Sequence, residues 1–420
     1  MRISTQEFIL GSLNDLLAQQ SQATQLNRQI ASGQTLLDAS DDPTAAAQSI
    51  TVASNINQFA YDASNAAAAQ EQAQTGVAAL QQLTTVVSQL QQIATQAGNA
   101  ATTQSARQGL VSEAQAALAQ LIQLGNTQGT DGNYIFAGSR SDAPAFQVQA
   151  DGSVTFNGDA AGQSVEVAPS LNVASTLSGR DVFEGVPAGN AGVAVSAASG
   201  NTGTAYAEAQ SVTNVSQIAA EAMAGTNFSI SFATGADGSL DYTVTSGTGD
   251  PASAGFAASS GVVTSGTVTS GATLSFGGIN VQITGTPAAG DSFTVEPGQS
   301  TSLFAIAQNL LAVLGGSQTT PATAATTQQQ VENILADLGG AQTRVLNAQA
   351  ALGSTLSEIQ SVQQQNSTGS TNAQAALSSL QSANLPQVIA GYNESITALQ
   401  ASELAMSRLQ GLTLFALIGH

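Results

Sequence analysis

The sequence predicts an α+β fold: an elongated rod of N- and C-terminal helices, a coiled-coil-like bundle, with a mainly-β domain inserted between them. Three observations carry this. Leu80, Leu83, Val87, Leu90 and Ala94 repeat at three- and four-residue spacing in the first part of the chain. Leu385, Val388, Tyr392, Ile396 and Leu399 do the same near its end. Between them lies a Gly/Ser/Thr-rich block whose apolar residues alternate with period two. An apolar seam cannot be left in water, so each stripe requires a partner helix, first the other end of the chain and then identical chains beside it.

The elements follow in order. Residues 3–32 carry Leu10, Leu13, Leu17, Leu26 and Ile30 on one helical face, and Gly33 fits the position after a helix end. Ser40-Asp41-Asp42-Pro43 opens the next helix, with Asp42 as N-cap and Pro43 at the first helical position. An Ala/Gln-rich pattern then runs to about residue 124, with Gly76 and Gly98-Asn99 as places for a break. If helical from 44 to 97 it spans about 80 Å. Leu110, Ala114, Leu118, Leu121 and Leu124 form a further helical run that stops at Gly125.

The period then changes. Tyr134-Ile135-Phe136 reads as a short strand, and Asp151-Gly152, Asn157-Gly158 and Asp237-Gly238 as two-residue turns. Alternation marks 228–232, 242–244, 279–283 and 293–295 as strands. Helical spacing resumes at Leu303, Ile306, Leu310 and Leu314. After a loop at 315–325 it continues through Val331, Ile334, Leu338, Leu352, Leu356 and Ile359. The polar run at 363–374 fits either a helix interruption or a solvated helical face.

Composition narrows the chemistry. Seven basic residues, all Arg, against 27 acidic ones leave a formal charge of −20. No basic patch exists to displace counterions from a nucleic acid, and an anionic membrane repels this surface. Without Lys or Cys there is no lysine base, Schiff base, thiolate nucleophile or cysteine metal site. The single His420 is the last residue, a poor frame for a triad. No enzyme and no cofactor is therefore expected. The apolar run Phe8-Ile9-Leu10 is too short for a secretory signal, and no stretch approaches the ~20 apolar residues of a membrane helix. The expectation is a cytosolic protein or one exported without a cleaved signal.

Sharper readings of single motifs yield to plainer ones. Asp41-Asp42 could be a paired-carboxylate site, but an N-cap beside a first-turn proline accounts for it. The Asp-Gly pairs at 131, 151 and 237 lack the twelve-residue ligand spacing of a calcium loop and read as turns. The sequons at Asn214, Asn227 and Asn393 arise by chance in a Ser-rich chain. The terminal stripes could be the core of a soluble bundle. Yet Ala18-Gln19-Gln20-Ser21-Gln22 leaves too little apolar surface for one isolated helix pair, which favours assembly.

Several segments together resemble a known family. QIASGQTLLDASDDPTAAAQSI at 29–50, DGNYIFAGSRSDAPAF at 131–146, GDSFTVEPGQSTSLFAIAQNLL at 290–311 and the run from Asn384 to Phe415 are similar to the flagellar hook-associated proteins of the hook–filament junction. The resemblance is to the type adjacent to the filament, within the flagellin-like superfamily. It covers roughly residues 1–185 and 290–420. YIFAGS at 134–139 points to the junction type rather than to flagellin. The last five residues, after Phe415, depart from the expected finish.

The resemblance implies a secreted structural subunit of the extracellular flagellum, passed through type III export with a dedicated chaperone. Its implied partners are itself, the other hook-associated protein and flagellin. It also implies terminal regions that order on assembly and a β-domain facing outward. The expected organisation is terminal assembly helices at 1–42 and 380–420, a helical rod at 43–144 and 298–379, and an outward β-rich domain at 145–297. The expected interface is Leu10, Leu13, Leu17, Leu26, Ile30, Leu385, Val388, Tyr392, Ile396, Leu399, Met406, Leu409, Leu412, Leu414 and Phe415. Two other readings stand beside it: a flagellin-type filament subunit, and a secreted adhesive protein acting through the β-domain.

Overall fold

The computed structural model describes residues 5–99, 103–249, 257–269, 271–316 and 320–418. Over 5, 6, 8, 9, 257–260 and 409–418 it describes the backbone alone. Three helices come first: α1 (Thr5–Ser32), α2 (Pro43–Ala97) and α3 (Gln104–Gly125). Helix α1 ends where Gly33 takes φ +69°, a left-handed conformation that costs glycine nothing. Helix α2 opens on Asp42, whose Oδ1 accepts from the backbone N–H groups of Thr44 and Ala45, both at 2.9 Å. It runs straight through Gly76. A Cβ there would stand 2.8 Å from Leu352 Cδ1, so the glycine serves a close approach between helices.

Short strands and turns follow. They are β1 (Phe146–Val148), β2 (Val154–Phe156), β3 (Ser164–Ala168), β4 (Leu171–Ala174), α4 (Gly179–Phe183) and β5 (Val186–Pro187). Next come β6 (Val193–Ala197), β7 (Tyr206–Val212), α5 (Val215–Ala224), β8 (Thr226–Thr234), β9 (Leu240–Thr248) and β10 (Ala257–Thr267). Then β11 (Thr273–Phe276), β12 (Ile279–Thr284), β13 (Ser292–Pro297) and β14 (Ser300–Thr301) complete the strands. Helices α6 (Leu303–Gly315), α7 (Pro321–Gln381) and α8 (Leu385–Ile418) close the chain. The larger sheet is antiparallel with order β10-β9-β8-β13-β6, and the smaller has order β11-β12-β7. Its chain-end helices and central mainly-β region make this an α+β protein.

The chain divides into two compact units, Met1–Asn65 with Val362–His420, and Ala66–Ser361. Helices α2 and α7 contribute residues to both. The second unit holds two apolar cores. One gathers Leu80, Leu83, Leu90 and Ile93 of α2 with Leu121, Leu310, Leu338 and Leu352, all essentially solvent-free. Phe136, Phe146, Phe183 and Phe304 join it, with neighbouring ring centroids 4.8–5.5 Å apart. Against it, buried Arg107 gives its guanidinium to the carbonyls of Val313, Leu314 and Gly316, so a fixed cation closes the C-terminal end of α6. The other core lies between the sheets, around Phe228, Ile230, Val281, Phe293 and Val295.

Four readings from the sequence need correction. Tyr134-Ile135-Phe136 is no strand: Tyr134 makes one isolated bridge to Gln128. Ala137 then turns back onto the Tyr134 carbonyl, and Ile135 and Phe136 plug the helical core. Asn157-Gly158 follows β2 without closing a hairpin, whereas Asp151-Gly152 and Asp237-Gly238 close β1–β2 and β8–β9. Helix α7 begins at Pro321, inside the expected 315–325 loop, and continues unbroken through the polar run 363–374. The Leu80–Ala94 stripe does not pair with the C-terminal stripe: it is spent inside the second unit, against α3, α6 and α7.

Candidate assembly surface

The first unit is built from α1, α8, the start of α2 and the end of α7. Helices α1 and α8 lie antiparallel. Midway along the pair the Gln19 carbonyl and Oε1 accept from the hydroxyls of Ser395 and Ser402, at 3.3 and 3.0 Å. At one end the connections α1–α2 and α7–α8 meet. The Thr35 N–H donates to the Gln381 carbonyl at 2.7 Å, and the Ala383 N–H to the Gly33 carbonyl at 2.9 Å. Thr35 Oγ1 adds a bond to the Ser382 carbonyl at 3.0 Å.

The ASG…SDDP segment builds this clasp. Buried Gln29 donates through Nε2 to the Thr35 carbonyl at 3.0 Å. Asp41 Oδ2 accepts from the N–H groups of Leu37 and Asp38, and its Oδ1 from Gln25 Nε2. The Asp41-Asp42 pair is thus occupied in folding a turn and capping a helix.

What the unit lacks is a core. Among the described residues its buried apolar side chains are Ala23, Ala46, Val362 and Val388. Yet it holds eight of the fourteen large apolar side chains that the described residues leave exposed: Leu10, Leu13, Leu17, Ile50, Tyr61, Leu385, Ile389 and Leu404. Full burial of a leucine is worth about 1.5–3 kcal/mol. Leu10, Leu13 and Leu17, on one face of α1 and 54%, 41% and 53% exposed, each hold back roughly half of that.

The expected interface residues divide accordingly. Val388 is buried, and Leu26, Ile30, Tyr392, Ile396, Leu399 and Met406 are half-buried in this unit. Leu10, Leu13, Leu17 and Leu385 face solvent. The side chains of Leu409, Leu412, Leu414 and Phe415 lie outside the described residues. Ile50, Tyr61, Ile389 and Leu404 were missed. Ile389 sits roughly 100° and Leu404 roughly 160° around α8 from buried Val388, since each residue advances the helix by about 100°. The adjacent pair Val388-Ile389 was the available signal that this helix is apolar on more than one face.

Among the described residues no group of three or more acidic, His or Cys side chains stands ready to hold a metal ion. No described helix is long and apolar enough to cross a membrane.

Comparison with known proteins finds similarity to flagellar proteins. The bacterial flagellin N-terminal helical region matches residues 3–141. Flagellar hook-associated protein 3 of Salmonella typhimurium is 28% identical over 186 residues, 44% of this chain and 58% of the relative. That of Escherichia coli is 23% identical over the same share. The chain therefore spans somewhat over half the length of the curated relatives it matches. The solved flagellar junction protein FlgL of Legionella pneumophila superposes with a TM-score of 0.68 at 28% identity, over 80% of this chain and 99% of that one. A Xanthomonas campestris FlgL structure gives 0.65 at 25% identity, over 77% and 97%.

Proposed function

We propose that this chain, a homologue of flagellar hook-associated protein 3, is a structural subunit of the bacterial flagellum that forms the junction between hook and filament. The observation that carries the reading is the coreless first unit. Its α1–α8 pair keeps Leu10, Leu13, Leu17, Leu385 and Ile389 in water and so offers apolar surface for neighbouring subunits to cover. Residues 1–42 and 380–420 are the assembly helices in this reading, 43–144 and 298–379 the rod, and 145–297 the outward domain. The partners are further copies of the chain, the second hook-associated protein below and flagellin above, with a dedicated chaperone before export. The role is mechanical, with no catalysis and no cofactor.

A null strain tests it. Cells without the protein should export flagellin yet fail to retain it as filaments, read as lost motility with flagellin in the culture medium. Filaments of normal length in the null strain would instead favour a filament-subunit role. The flagellin N-terminal match keeps that second reading in play.

A further inference from the structure

Within the second unit, one face of α7 carries the attachment of the β-domain. Gln329 Oε1 accepts from the Ala207 N–H of β7 at 2.6 Å, and its Nε2 donates to the Val195 carbonyl of β6 at 3.3 Å. Asn333, one turn on, donates to the same carbonyl at 2.6 Å. One turn further, Asp337 accepts from the Gly189 N–H in the connection between β5 and β6. Three side chains at four-residue spacing therefore hold three backbone segments.

Carboxylates dominate this joint. Helix α7 supplies Glu332 and Asp337, β7 supplies Glu208, and β13 brings Glu296 opposite Ala194. The 187–192 connection and the lining part of α6 bring no titratable group; α6 contributes Asn309. Two cations lie around the joint: Arg344, two turns beyond Asp337 and set against Gly185, where its buried Nε has no hydrogen-bond partner, and Arg107, whose guanidinium is taken up by the carbonyls of Val313, Leu314 and Gly316. Among the described residues no salt bridge joins Arg344 to Asp337, Glu208 or Glu332. Clefts of about 300 and 590 Å³ flank the connection, one lined by Asp337 and Asn333, the other by Glu208 and Glu332. Both let water and protons reach the carboxylates.

We infer that this joint is a latch tightened by acid: protonation of Asp337 and of Glu208 strengthens the docking of the 187–197 segment on α7, and deprotonation loosens it. The cause is uncompensated negative charge in a partly dehydrated seam. Burial pushes the Asp337 carboxyl up to about 6, against the opposing pull of the Gly189 N–H. Burial and then repulsion from Glu332 raise Glu208 as well. The docked state binds these protons more tightly than an undocked one, so docking weakens as pH rises through the raised values.

Hydrogen exchange of the full chain at pH 5 and pH 8, scaled for intrinsic amide rates, tests this. Peptides from 187–197 should lose protection by roughly ten- to a hundredfold relative to peptides from 110–124 on going to pH 8. Asp337→Asn keeps an oxygen for the Gly189 N–H and removes the charge, so most of the pH response should vanish. Adding Glu208→Gln should flatten the remainder. The 110–124 peptides report whether each variant is folded, and wild type against Glu208→Gln alone supplies the comparison if Asp337→Asn is not. Equal protection of wild type at both pH values, or a double variant that keeps the full response, overturns the latch.

Discussion

Leu17→Asp separates a surface held for neighbours from a surface held for the chain itself. In the isolated subunit Leu17 is 53% exposed, so the substitution removes about half of a leucine's burial, roughly 1 kcal/mol, and adds a small loss of helix propensity. In an assembled seam the same aspartate is an uncompensated buried charge, costing about 3–5 kcal/mol. Every 1.4 kcal/mol is tenfold in association, so the concentration needed for assembly should rise by at least about a hundredfold. Leu83→Ala is the opposite control: Leu83 is fully buried in the α2 core, and a cavity there costs the monomer about 2–5 kcal/mol. Thermal unfolding by circular dichroism reads the monomer. Sedimentation of polymer and complementation of a null strain's motility read assembly. The reasoning fails if Leu17→Asp melts the monomer as far as Leu83→Ala does while the protein still assembles.

Three further outcomes are expected. Asp337→Asn should stabilise the protein at pH 8 by up to about 3 kcal/mol and hardly at all below pH 4. The raised carboxyl contributes stability at low pH that is lost as pH rises through about 6; urea unfolding at pH 4, 6 and 8 measures it. Gly125→Ala would put a Cβ 2.6 Å from the Phe146 ring, which is pinned by three aromatic neighbours, so a net loss of about 1–2 kcal/mol should appear in urea melts. Arg107→Met keeps the apolar stem but strands the carbonyls of Val313, Leu314 and Gly316. A loss of about 3 kcal/mol is expected, with faster amide exchange at the end of α6.

Local chemistry was legible in the sequence, and partner choice was not. Gly33 and Asp42-Pro43 announced a helix end and start, because left-handed φ and N-cap geometry each admit few residue types. The alternating strands at 228–232 and 279–283 were equally plain, since a sheet with one buried face imposes period two. Helix α5 hid in the Gly/Ser/Thr-rich block; its marker, Asn214, read only as part of a sequon, whereas its side chain caps the helix at Gln217. The Leu80 and Leu385 stripes look alike on a helical wheel. A periodic pattern records that a face is buried but not by what, so nothing local told that one is consumed within the chain while the other leaves apolar neighbours exposed. The α7 ladder was invisible for the same reason: Gln329, Asn333 and Asp337 take their meaning from backbone far away in sequence.

The clasp joining residues 33–35 to 381–383 also decides how the α1–α8 pair responds to load. Tension on the tips of the two helices peels them apart from the open end, one weak side-chain contact at a time, and meets the clasp last. There the Thr35 and Ala383 N–H bonds and the Thr35 hydroxyl must yield together. A tear that begins at the tips is arrested at this point and does not run on into α2 and α7. Damage to one of the contacts beyond the clasp therefore stays local, and the pair can close again from an intact base, as a zipper does above its stop.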